Sequence, residues 1–381
     1  MDFKLTPEQS QMRQLVRTFA RDVIAPVAAE IDRTDRFPRD LIRQMGELGL
    51  MGLPVPEVYG GVGADYLSYI LAIEEISYAS AAVGVILAVH TSVGTFPILY
   101  FGNEAQREKY LPKLTSGEWV AAFALTEPDA GSDASAIRTR AVRDGDAYVV
   151  NGSKVFITNA SDADLFCVFA VTDPRRGSRG MTAFLVERGT PGLRVGRKLE
   201  KMGLNGSGTC ELTFEDMRVP IENRLGQEGE GFSIAMRLLD GGRIGIAAQA
   251  LGIARAAFDA ANQYVRGRRQ FGQEVFKFQG VQFMLADMAT RIEASRWLVY
   301  HAAQMRQEGQ ACTREASMAK LFATDTAMQV TTDAVQLFGG YGYVKEYPVE
   351  RYMRDAKVTQ IYEGTNQIQR IVIARHLRER G

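Results

Sequence analysis

The hydrophobic pattern of this 381-residue chain changes its period twice, which constrains the fold more than any single motif does. In residues 6–116, apolar side chains recur at three- and four-residue intervals, as in helices packed on one face. Residues 119–223 alternate apolar and polar side chains between turn signals, as strands do, and the helical period returns from residue 231. The pattern predicts a mainly α-helical protein with a β-rich middle domain. The predicted domains cover residues 1–118, 119–230 and 231–381.

Long helical segments in the last third of the chain predict a helix bundle. They cover residues 233–269, 279–307, 314–337 and 347–362, and a short terminal helix follows. Helices of this length would expose apolar stripes unless they packed against one another. We therefore expect a bundle of four or five helices in the C-terminal domain.

Charge and cysteine content exclude several functional classes. The chain has 45 basic and 45 acidic side chains, so its formal net charge is zero. Binders of nucleic acid or anionic membranes need a clustered positive field, and neither partner is expected. Cys167, Cys210 and Cys312 are far apart and odd in number, which indicates a reducing compartment. The three histidines show no zinc-like spacing, so no metal site is predicted.

One uncharged stretch has the composition of a membrane helix. Residues 77–103 carry no formal charge, but they include His90, Pro97 and three glycines and lack basic flanks. We predict a buried helix and no membrane insertion. No signal or transit segment is seen at the N-terminus, so a bacterial-type cytoplasmic location is expected.

A single carboxylate near the C-terminus is the first candidate for chemistry. Residues 360–367 (Gln-Ile-Tyr-Glu-Gly-Thr-Asn-Gln) place Glu363 between an aromatic residue and a glycine. Burial in such a setting would raise the pKa of the carboxyl group and make it a useful proton acceptor. Thr365 or Asn366 is expected to cap the final helix. On the local sequence alone, a solvated acid near the helix dipole is the commoner arrangement.

Three other segments have the composition of ligand-binding loops. Residues 124–133 offer hydroxyls, carboxylates and backbone amides after a strand, although an ordinary capped turn would look the same. Residues 336–343 end a helix with three glycines in four residues, which suits either close approach to a phosphate or a simple helix end. Residues 266–272 cluster arginines beside an aromatic residue. No Rossmann fingerprint or P-loop is present in the sequence.

Taken together, these segments resemble the acyl-CoA dehydrogenase family, and most closely its short-chain (butyryl-CoA) branch, over essentially the whole chain. One signature occupies residues 124–133, and the other occupies residues 336–343 and continues with Glu346, Arg351 and Asp355. The resemblance implies an N-terminal α-helical domain, a middle β-barrel domain and a C-terminal four-helix bundle. It also implies a homotetramer, built as a dimer of dimers, with one FAD per subunit.

The resemblance also implies roles for individual residues. Glu363 matches the family's catalytic base. The residues that match its FAD contacts are Phe123, Leu125, Thr126, Ser132, Phe156, Ile157, Thr158, Arg268, Phe271, Gln279, Gln336, Gly339, Gly340, Thr365 and Gln367. The residues that match its acyl-CoA contacts are Ser132, Asp240, Arg243, Tyr362 and Gly364. Arg268, Gln279 and the segment 336–340 would reach the FAD of a neighbouring subunit, and the family usually has Trp in place of Phe156.

The chemistry implied by the resemblance is α,β-dehydrogenation of a saturated acyl-CoA to a trans-2-enoyl-CoA. Glu363 would take the α-proton, the β-hydride would pass to flavin N5, and electron-transfer flavoprotein would accept the electrons. Hydrogen bonds from a ribityl hydroxyl and from the backbone N–H of the base would polarise the thioester carbonyl. Some relatives place the base at the position of Gly242, where glycine cannot serve. Leu87, Val89 and Tyr362 are expected to line a pocket for a short or medium acyl chain.

Two other functions remain open at this stage. A flavin acyl-CoA oxidase on the same fold would be reoxidised directly by oxygen. A silent acyl-CoA binder would have lost the base, whereas Glu363 is present. Relatives that bind dicarboxylyl-CoA place an arginine in the segment matching residues 81–100, where His90 is the sole basic residue. We therefore expect no carboxylated acyl tail.

Overall fold

The computed structural model describes residues 4–378, and the first third is helical as the sequence predicts. Its α-helices are α1 (Pro7–Phe19), α2 (Ala25–Thr34), α3 (Arg39–Glu47), α4 (Tyr66–Ala79), α5 (Ala81–Val89), α6 (Phe96–Phe101) and α7 (Glu104–Thr115). A π-helical turn, Ala20–Ile24, connects α1 to α2. Helix α4 is buried along nearly its whole length because α1, α5 and the long helix at Gly231–Gly267 pack around it.

The uncharged stretch lies in the protein core. Helix α5, a π-helical turn (His90–Thr95) and α6 form one continuous apolar helical segment. By length and composition, Ala81–Phe101 and Gly231–Gly267 could each cross a membrane, but 94% and 78% of their apolar windows are buried inside the protein. The His90 ring bonds the carbonyl of Leu114 at 3.1 Å and accepts from the N–H of Ala121 at 3.2 Å. Burial lowers the pKa of His90 to about 4, so this residue is neutral and tied to its own neighbours.

The middle domain is one eight-stranded sheet around its own apolar core. Its strands are β1 (Ala121–Ala124), β2 (Arg140–Asp144), β3 (Ala147–Thr158), β4 (Leu165–Val171), β5 (Met181–Glu187), β6 (Leu193–Lys198), β7 (Thr209–Pro220) and β8 (Arg224–Leu225). The hydrogen-bonded order is β6-β7-β3-β2-β4-β5-β8, and β1 pairs with β4 in parallel. Phe166, Phe184 and Phe214 fill the core of this domain. The β-rich middle predicted from the alternating pattern is confirmed.

The C-terminal domain is a bundle organised around one long helix. Helix α8 (Gly231–Gly267) packs against α9 (Gln279–Gln307), α10 (Thr313–Phe338) and α4. A short hairpin of β9 (Arg269–Gln270) and β10 (Gln273–Glu274) connects α8 to α9. Helices α11 (Val349–Thr359) and α12 (Asn366–Arg378) complete the bundle and pack on α10.

Two helix ends differ from the sequence-based expectation. The segment predicted as helical over 347–362 ends at Thr359, and residues 360–365 form a turn. This turn contains two successive left-handed residues, which no α-helix can include. Helix α8 ends at Gly267 because Arg268 adopts an extended conformation and leads into β9. Of the two expected caps for α12, Thr365 makes the bond, accepting from the N–H of Ile368 at 3.3 Å.

Candidate active site

Glu363 lies in the strained turn between α11 and α12. Its φ is 54° and that of Gly364 is 86°, so both residues are left-handed. A non-glycine residue in this conformation is strained, and such strain is retained where the surrounding structure enforces it. The side chain of Gln369 enforces it here by donating to the carbonyls of Glu363 at 3.2 Å and Gly364 at 2.9 Å. The turn therefore presents the carboxylate in one fixed direction.

The carboxylate of Glu363 points into the protein. Within residues 4–378, its Oε2 atom is buried and has no hydrogen-bond partner. Burial raises the pKa of Glu363 to about 7, although the charges of Arg243 and Lys320 act to lower it. A carboxylate with this proton affinity is suited to accept a proton near neutral pH. The geometry favours a candidate base over a solvated acid at the helix end.

The glycine-rich face of α8 makes room for this carboxylate. A Cβ atom added at Gly242 would lie 2.3 Å from Oε2 of Glu363, well inside contact distance. At Gly241, an added Cβ would meet the guanidinium of Arg306 at 2.9 Å. Gly242 therefore places the α8 backbone directly against the candidate base. This is the helix position from which some relatives are expected to supply the base.

The backbone of Glu363 offers a hydrogen-bond donor beside its own carboxylate. Among the backbone hydrogen bonds of the described residues, the N–H groups of Tyr362 and Asn366 have acceptors in Val358 and Gln360, whereas the N–H of Glu363 has none. An unpaired N–H next to a proton acceptor could polarise a bound carbonyl group. The turn thus places a candidate base and a candidate oxyanion donor on one residue.

Two residues predicted to contact acyl-CoA form a pair close to the turn. Arg243 is 6% exposed and donates from Nη1 to Oδ1 of Asp240 at 2.8 Å. The second oxygen of Asp240 accepts from the hydroxyl of Thr313 at 2.6 Å. Nε of Arg243 is buried without a partner in the part of the chain that the structure describes. This arginine has unused donor capacity directed into the interior near Glu363.

Tyr362 and α5 enclose the space next to the base. The Tyr362 hydroxyl donates to Oε1 of Gln249, whose amide nitrogen donates to the carbonyl of Ala81 at 3.0 Å. Gln249 is fully buried, and so is Leu87, while Val89 is 7% exposed. These contacts connect α8, α5 and the turn around the predicted acyl pocket. Sequence reasoning named Tyr362, Leu87 and Val89 but missed Gln249, because a lone glutamine in an alanine-rich helix gives no local signal.

The predicted flavin segment of β3 has an unusual conformation. Phe156 has φ 59° and is 66% exposed, and the pairing of β3 with β7 shifts register between Lys154 and Ile157. A bulge of this kind re-aims a side chain at a functional site. Thr158 beside it is half-buried, whereas the side chain of Ile157 lies in the domain core. The strand therefore presents an aromatic face outward, which fits a flat aromatic ligand.

The loop at residues 125–132 lies next to this strand. The carbonyl of Thr126 accepts from the N–H of Val155 at 2.9 Å, and Ser132 is exposed. The side chain of Leu125 is buried, and the ring of Phe123 lies 4.9 Å from that of Phe169. Leu125 can therefore offer a ligand only backbone groups, whereas Ser132 and Thr126 can also offer hydroxyls.

A buried ion pair that sequence reasoning missed holds this loop. Nζ of Lys154 donates to Oε1 of Glu127 at 2.8 Å and to the carbonyl of Leu125 at 3.0 Å. Glu127 also accepts from the N–H groups of Arg138 and Thr139 at 2.6 and 3.0 Å. Lys154 lies on the same face of β3 as the buried Tyr148 and Val150, so its ammonium group points inward and needs a counter-charge. The two strands and the loop are thereby fixed to one another.

The remaining cofactor candidates line two other cavities. Arg268, Gln336, Gly339 and Gly340 line a cavity of about 780 Å³ together with Tyr341. Thr365 and Gln367 line a second cavity of about 390 Å³. The charged residues of its lining are Lys357, Arg370 and Asp325. Among the described residues, the linings have no member in common.

Two predicted residues stay outside these linings. Phe271 is 94% exposed at the tip of the β9–β10 hairpin, and Gln279 is exposed at the start of α9. Arg268 lies over the ring of Tyr341 at 5.6 Å. One chain therefore brings Arg268 and the glycine segment together, while Phe271 and Gln279 face away from its own cavities. Among residues 4–378 no group of His, Cys, Asp or Glu side chains could hold a metal ion.

Comparison with known proteins places this geometry in a family. The descriptions of the three matching family models are the N-terminal, middle and C-terminal domains of acyl-CoA dehydrogenase, which cover residues 6–118, 122–217 and 229–378. An acyl-CoA dehydrogenase of Bacillus subtilis is 60% identical, and the match covers 98% of both chains.

Two solved structures have the same fold. Butyryl-CoA dehydrogenase from Megasphaera elsdenii has a TM-score of 0.97 at 51% identity, covering 99% of this chain and 100% of that one. A chain solved in work on the electron transferring flavoprotein of Acidaminococcus fermentans has a TM-score of 0.98 at 55% identity, covering 99% of both. With its three domains matched in order and a relative 60% identical over nearly its whole length, the chain belongs to the acyl-CoA dehydrogenase family.

Proposed function

We propose that this protein is an FAD-dependent dehydrogenase of short-chain acyl-CoA thioesters, with Glu363 as its catalytic base. The observation that carries the proposal is the buried and unpartnered Oε2 atom of Glu363, next to an unpaired backbone N–H. Both groups belong to one rigid turn that the fold holds in a strained conformation. A structural carboxylate would be expected to use such donors itself.

Two groups of Glu363 would act directly in the reaction, its backbone N–H and its carboxylate. The N–H of Glu363 would bind the thioester carbonyl and make the α-proton more acidic, because negative charge develops on that oxygen. Oε2 of Glu363 would then accept the α-proton. Bound substrate excludes water from the site, which keeps the proton affinity of the carboxylate high. FAD, when bound, supplies the acceptor for the hydride that leaves the β-carbon, and the product is a trans-2-enoyl-CoA.

The cofactor would be held by three sets of residues. The ring of Phe156, Thr158 and the loop at 125–132 would contact the flavin, because this is where the chain exposes an aromatic face beside free hydroxyls. Thr365 and Gln367 would contact it from the second cavity. Arg268, Gln336 and the neighbouring glycines would bind the FAD of another subunit, with Phe271 and Gln279. We propose a homotetramer on this basis.

Exposed aromatic residues support this assembly. Phe271, Tyr343 and Phe283 are 94%, 88% and 60% exposed and belong to the C-terminal domain. Large exposed aromatic side chains are typical of surfaces that a partner covers. A second copy of the chain would cover them and complete the cofactor site at once. The relatives from Bacillus subtilis and Megasphaera elsdenii described above are bacterial, and we propose a bacterial-type cytoplasm as the location.

The acyl pocket is proposed to be short. Gln249 is fully buried between Tyr362 and Ala81, and its amide is hydrogen-bonded at both ends. A longer acyl chain would have to break these bonds and leave buried polar groups unpaired. Among the solved relatives, one is a butyryl-CoA dehydrogenase and one was solved in work on an electron transferring flavoprotein. We propose a short-chain substrate and electron-transfer flavoprotein as the acceptor.

An anaerobic titration of the flavin-containing protein tests the proposal. Butyryl-CoA should bleach the flavin absorbance, with octanoyl- and isovaleryl-CoA less effective. The Glu363→Gln variant should keep FAD but bleach about 10³- to 10⁴-fold more slowly, because an amide cannot accept the proton. Failure of all three substrates to bleach bound flavin would refute dehydrogenation. Reoxidation by oxygen as fast as by electron-transfer flavoprotein would favour an oxidase, and absence of flavin would favour a silent binder.

A further inference from the structure

Lys320 is a fully buried lysine that the reaction described above does not use. It belongs to α10, where Ala316, Ala323 and Ala327 on the same face are also completely buried. Burying an ammonium group is costly unless it has hydrogen bonds and a compensating charge. The contacts of Lys320 therefore indicate what it does.

Its hydrogen bonds go to the turn that carries Glu363. Nζ donates to the carbonyl of Gly364 at 2.9 Å and to Oδ1 of Asn366 at 2.8 Å. The amide nitrogen of Asn366 in turn donates to Thr324 and Asp325 of α10, at 2.9 and 2.7 Å. The catalytic turn is thus clamped to α10 immediately after the base.

The charge of Lys320 has no carboxylate at ion-pair distance among the described residues. Burial lowers the pKa of Lys320 to about 7, while the nearby acidic groups Glu363 and Asp325 act to raise it, so the lysine keeps its charge up to about neutral pH. Asp325 already accepts from Gln360 at 2.7 Å and pairs with Arg370 at 3.3 Å. The other cation that acts on Glu363 is Arg243, which is paired with Asp240. Of the two cations that act on Glu363, Lys320 is therefore the one without a paired carboxylate among the described residues.

We propose that Lys320 is a positioning residue for the reaction, which fixes the Glu363 turn through Gly364 and Asn366 and supplies the charge that stabilises the deprotonated base. The inference rests on the proposed role of Glu363. The other titratable groups that act on this carboxylate are Tyr66 and Tyr69 of α4 and the adjacent Tyr362. Burial raises the pKa of all three tyrosines, so they stay neutral and leave Lys320 and Arg243 to set the local charge.

The direction of the pH effect follows from this arrangement. A cation favours the ionised carboxylate, so a neutral residue at position 320 should raise the pKa of Glu363. The acidic limb of kcat/KM reports the free enzyme, in which Glu363 must be ionised to act. This limb should therefore move to higher pH when the charge is removed.

Two substitutions separate the charge from the hydrogen bonds. Lys320→Met removes both, whereas Lys320→Gln keeps an N–H donor for Gly364 without the charge. The pH dependence of flavin reduction by butyryl-CoA, FAD content and thermal melting should be measured for each. Thr331→Val is the matched control, since Thr331 is buried in the same helix and its hydroxyl bonds only within α10.

Both substitutions should move the acidic limb upward by about one pH unit, with FAD content retained and the control unchanged. We expect kcat to fall about 10- to 100-fold in Lys320→Met and less in Lys320→Gln. An acidic limb that stays in place, or a full return to the wild-type profile in Lys320→Gln, would overturn the role of the charge. Loss of folding in both variants would leave Lys320 a structural role and also overturn the proposal. Rapid flavin reduction by Glu363→Gln would instead refute the proposed base.

Discussion

Two buried glutamate–lysine arrangements in this protein behave in opposite ways. In the loop pair, Glu127 and Lys154 make a direct ion pair at 2.8 Å, and two backbone N–H groups also donate to the carboxylate. In the turn pair, Lys320 reaches the backbone after Glu363 instead of its carboxylate, whose Oε2 stays unpartnered within the described residues. The carboxylate of Glu127 is therefore fully hydrogen-bonded, whereas that of Glu363 has an oxygen without a partner.

The proton affinities follow from this difference. Burial raises the pKa of Glu127, but the charge of Lys154 and the hydrogen bonds outweigh it, so the net shift is downward. At Glu363 burial dominates and the net shift is upward. Complete pairing produces a carboxylate that is ionised at neutral pH and holds a loop. Incomplete pairing produces one that can exchange a proton, which is what a general base requires.

Breaking the loop pair should give the largest effect on stability. Glu127→Ala leaves the ammonium of Lys154 buried without its counter-charge, and we expect a loss of about 3–5 kcal/mol in the free energy of unfolding. Urea denaturation at pH 7 measures it. Glu215→Ala is the control, because its ion pair with Arg194 at 2.9 Å is exposed and should contribute less than about 1 kcal/mol. Equal losses in both variants would show that the loop pair has no special role.

The opposite pKa shifts predict opposite pH dependences of stability. The folded-state pKa of Glu127 is lowered, so its contribution is present above the unfolded pKa of about 4.3 and is lost as pH falls through the folded value. For Glu363 the folded value of about 7 lies above the unfolded one, so the wild type loses stability as pH rises from about 4.3 to 7.

Comparing the two glutamine variants with the wild type at pH 5 and pH 8 tests this sign. Glu363→Gln should be about as stable as the wild type at pH 5 and more stable at pH 8, by up to about 3 kcal/mol, since each tenfold difference in proton affinity corresponds to about 1.4 kcal/mol. Glu127→Gln should be less stable at both values, and slightly more so at pH 8. If Glu363→Gln were less stable than the wild type at pH 8, the ionised carboxylate would be better solvated than its burial indicates.

The sequence predicts the large features of this protein because they depend on many residues at once. The change of hydrophobic period identifies the helical, β and helical domains, and two signatures with Glu363 indicate the family. Single contacts were harder to predict. A lysine is usually exposed, and nothing in the local sequence identifies Glu127 as the buried partner of Lys154.

Lys320 was missed for a related reason. Its place on the buried face of α10 follows from the surrounding alanines, but its partners depend on where the turn with Glu363 and Gly364 packs, which the sequence pattern does not predict. Roles that depend on a second subunit, such as those of Phe271 and Gln279, stay predictions, because one chain cannot show what covers an exposed side chain.

The Gly242→Ala substitution, which disturbs the contact of α8 with the proposed base, should have the smallest and most local effect of these changes. Ala at position 242 would place its Cβ 2.3 Å from the present position of Oε2 and push the Glu363 carboxylate away. A displacement of about 1 Å can lower the rate by 10- to 100-fold, so kcat with butyryl-CoA should fall by this amount while FAD content and melting temperature are kept. The loop pair should be unaffected, since it belongs to another domain.

Gly245→Ala is the matched control on the same helix. An added Cβ there lies 3.5 Å or more from its neighbours, an ordinary contact distance. Alanine is also the better helix former by about 1 kcal/mol. We expect Gly245→Ala to melt at the same or a higher temperature and to keep kcat within about threefold. Full activity in Gly242→Ala would mean that the carboxylate can leave α8 without loss, so that the turn alone, rather than its contact with the helix, positions the base.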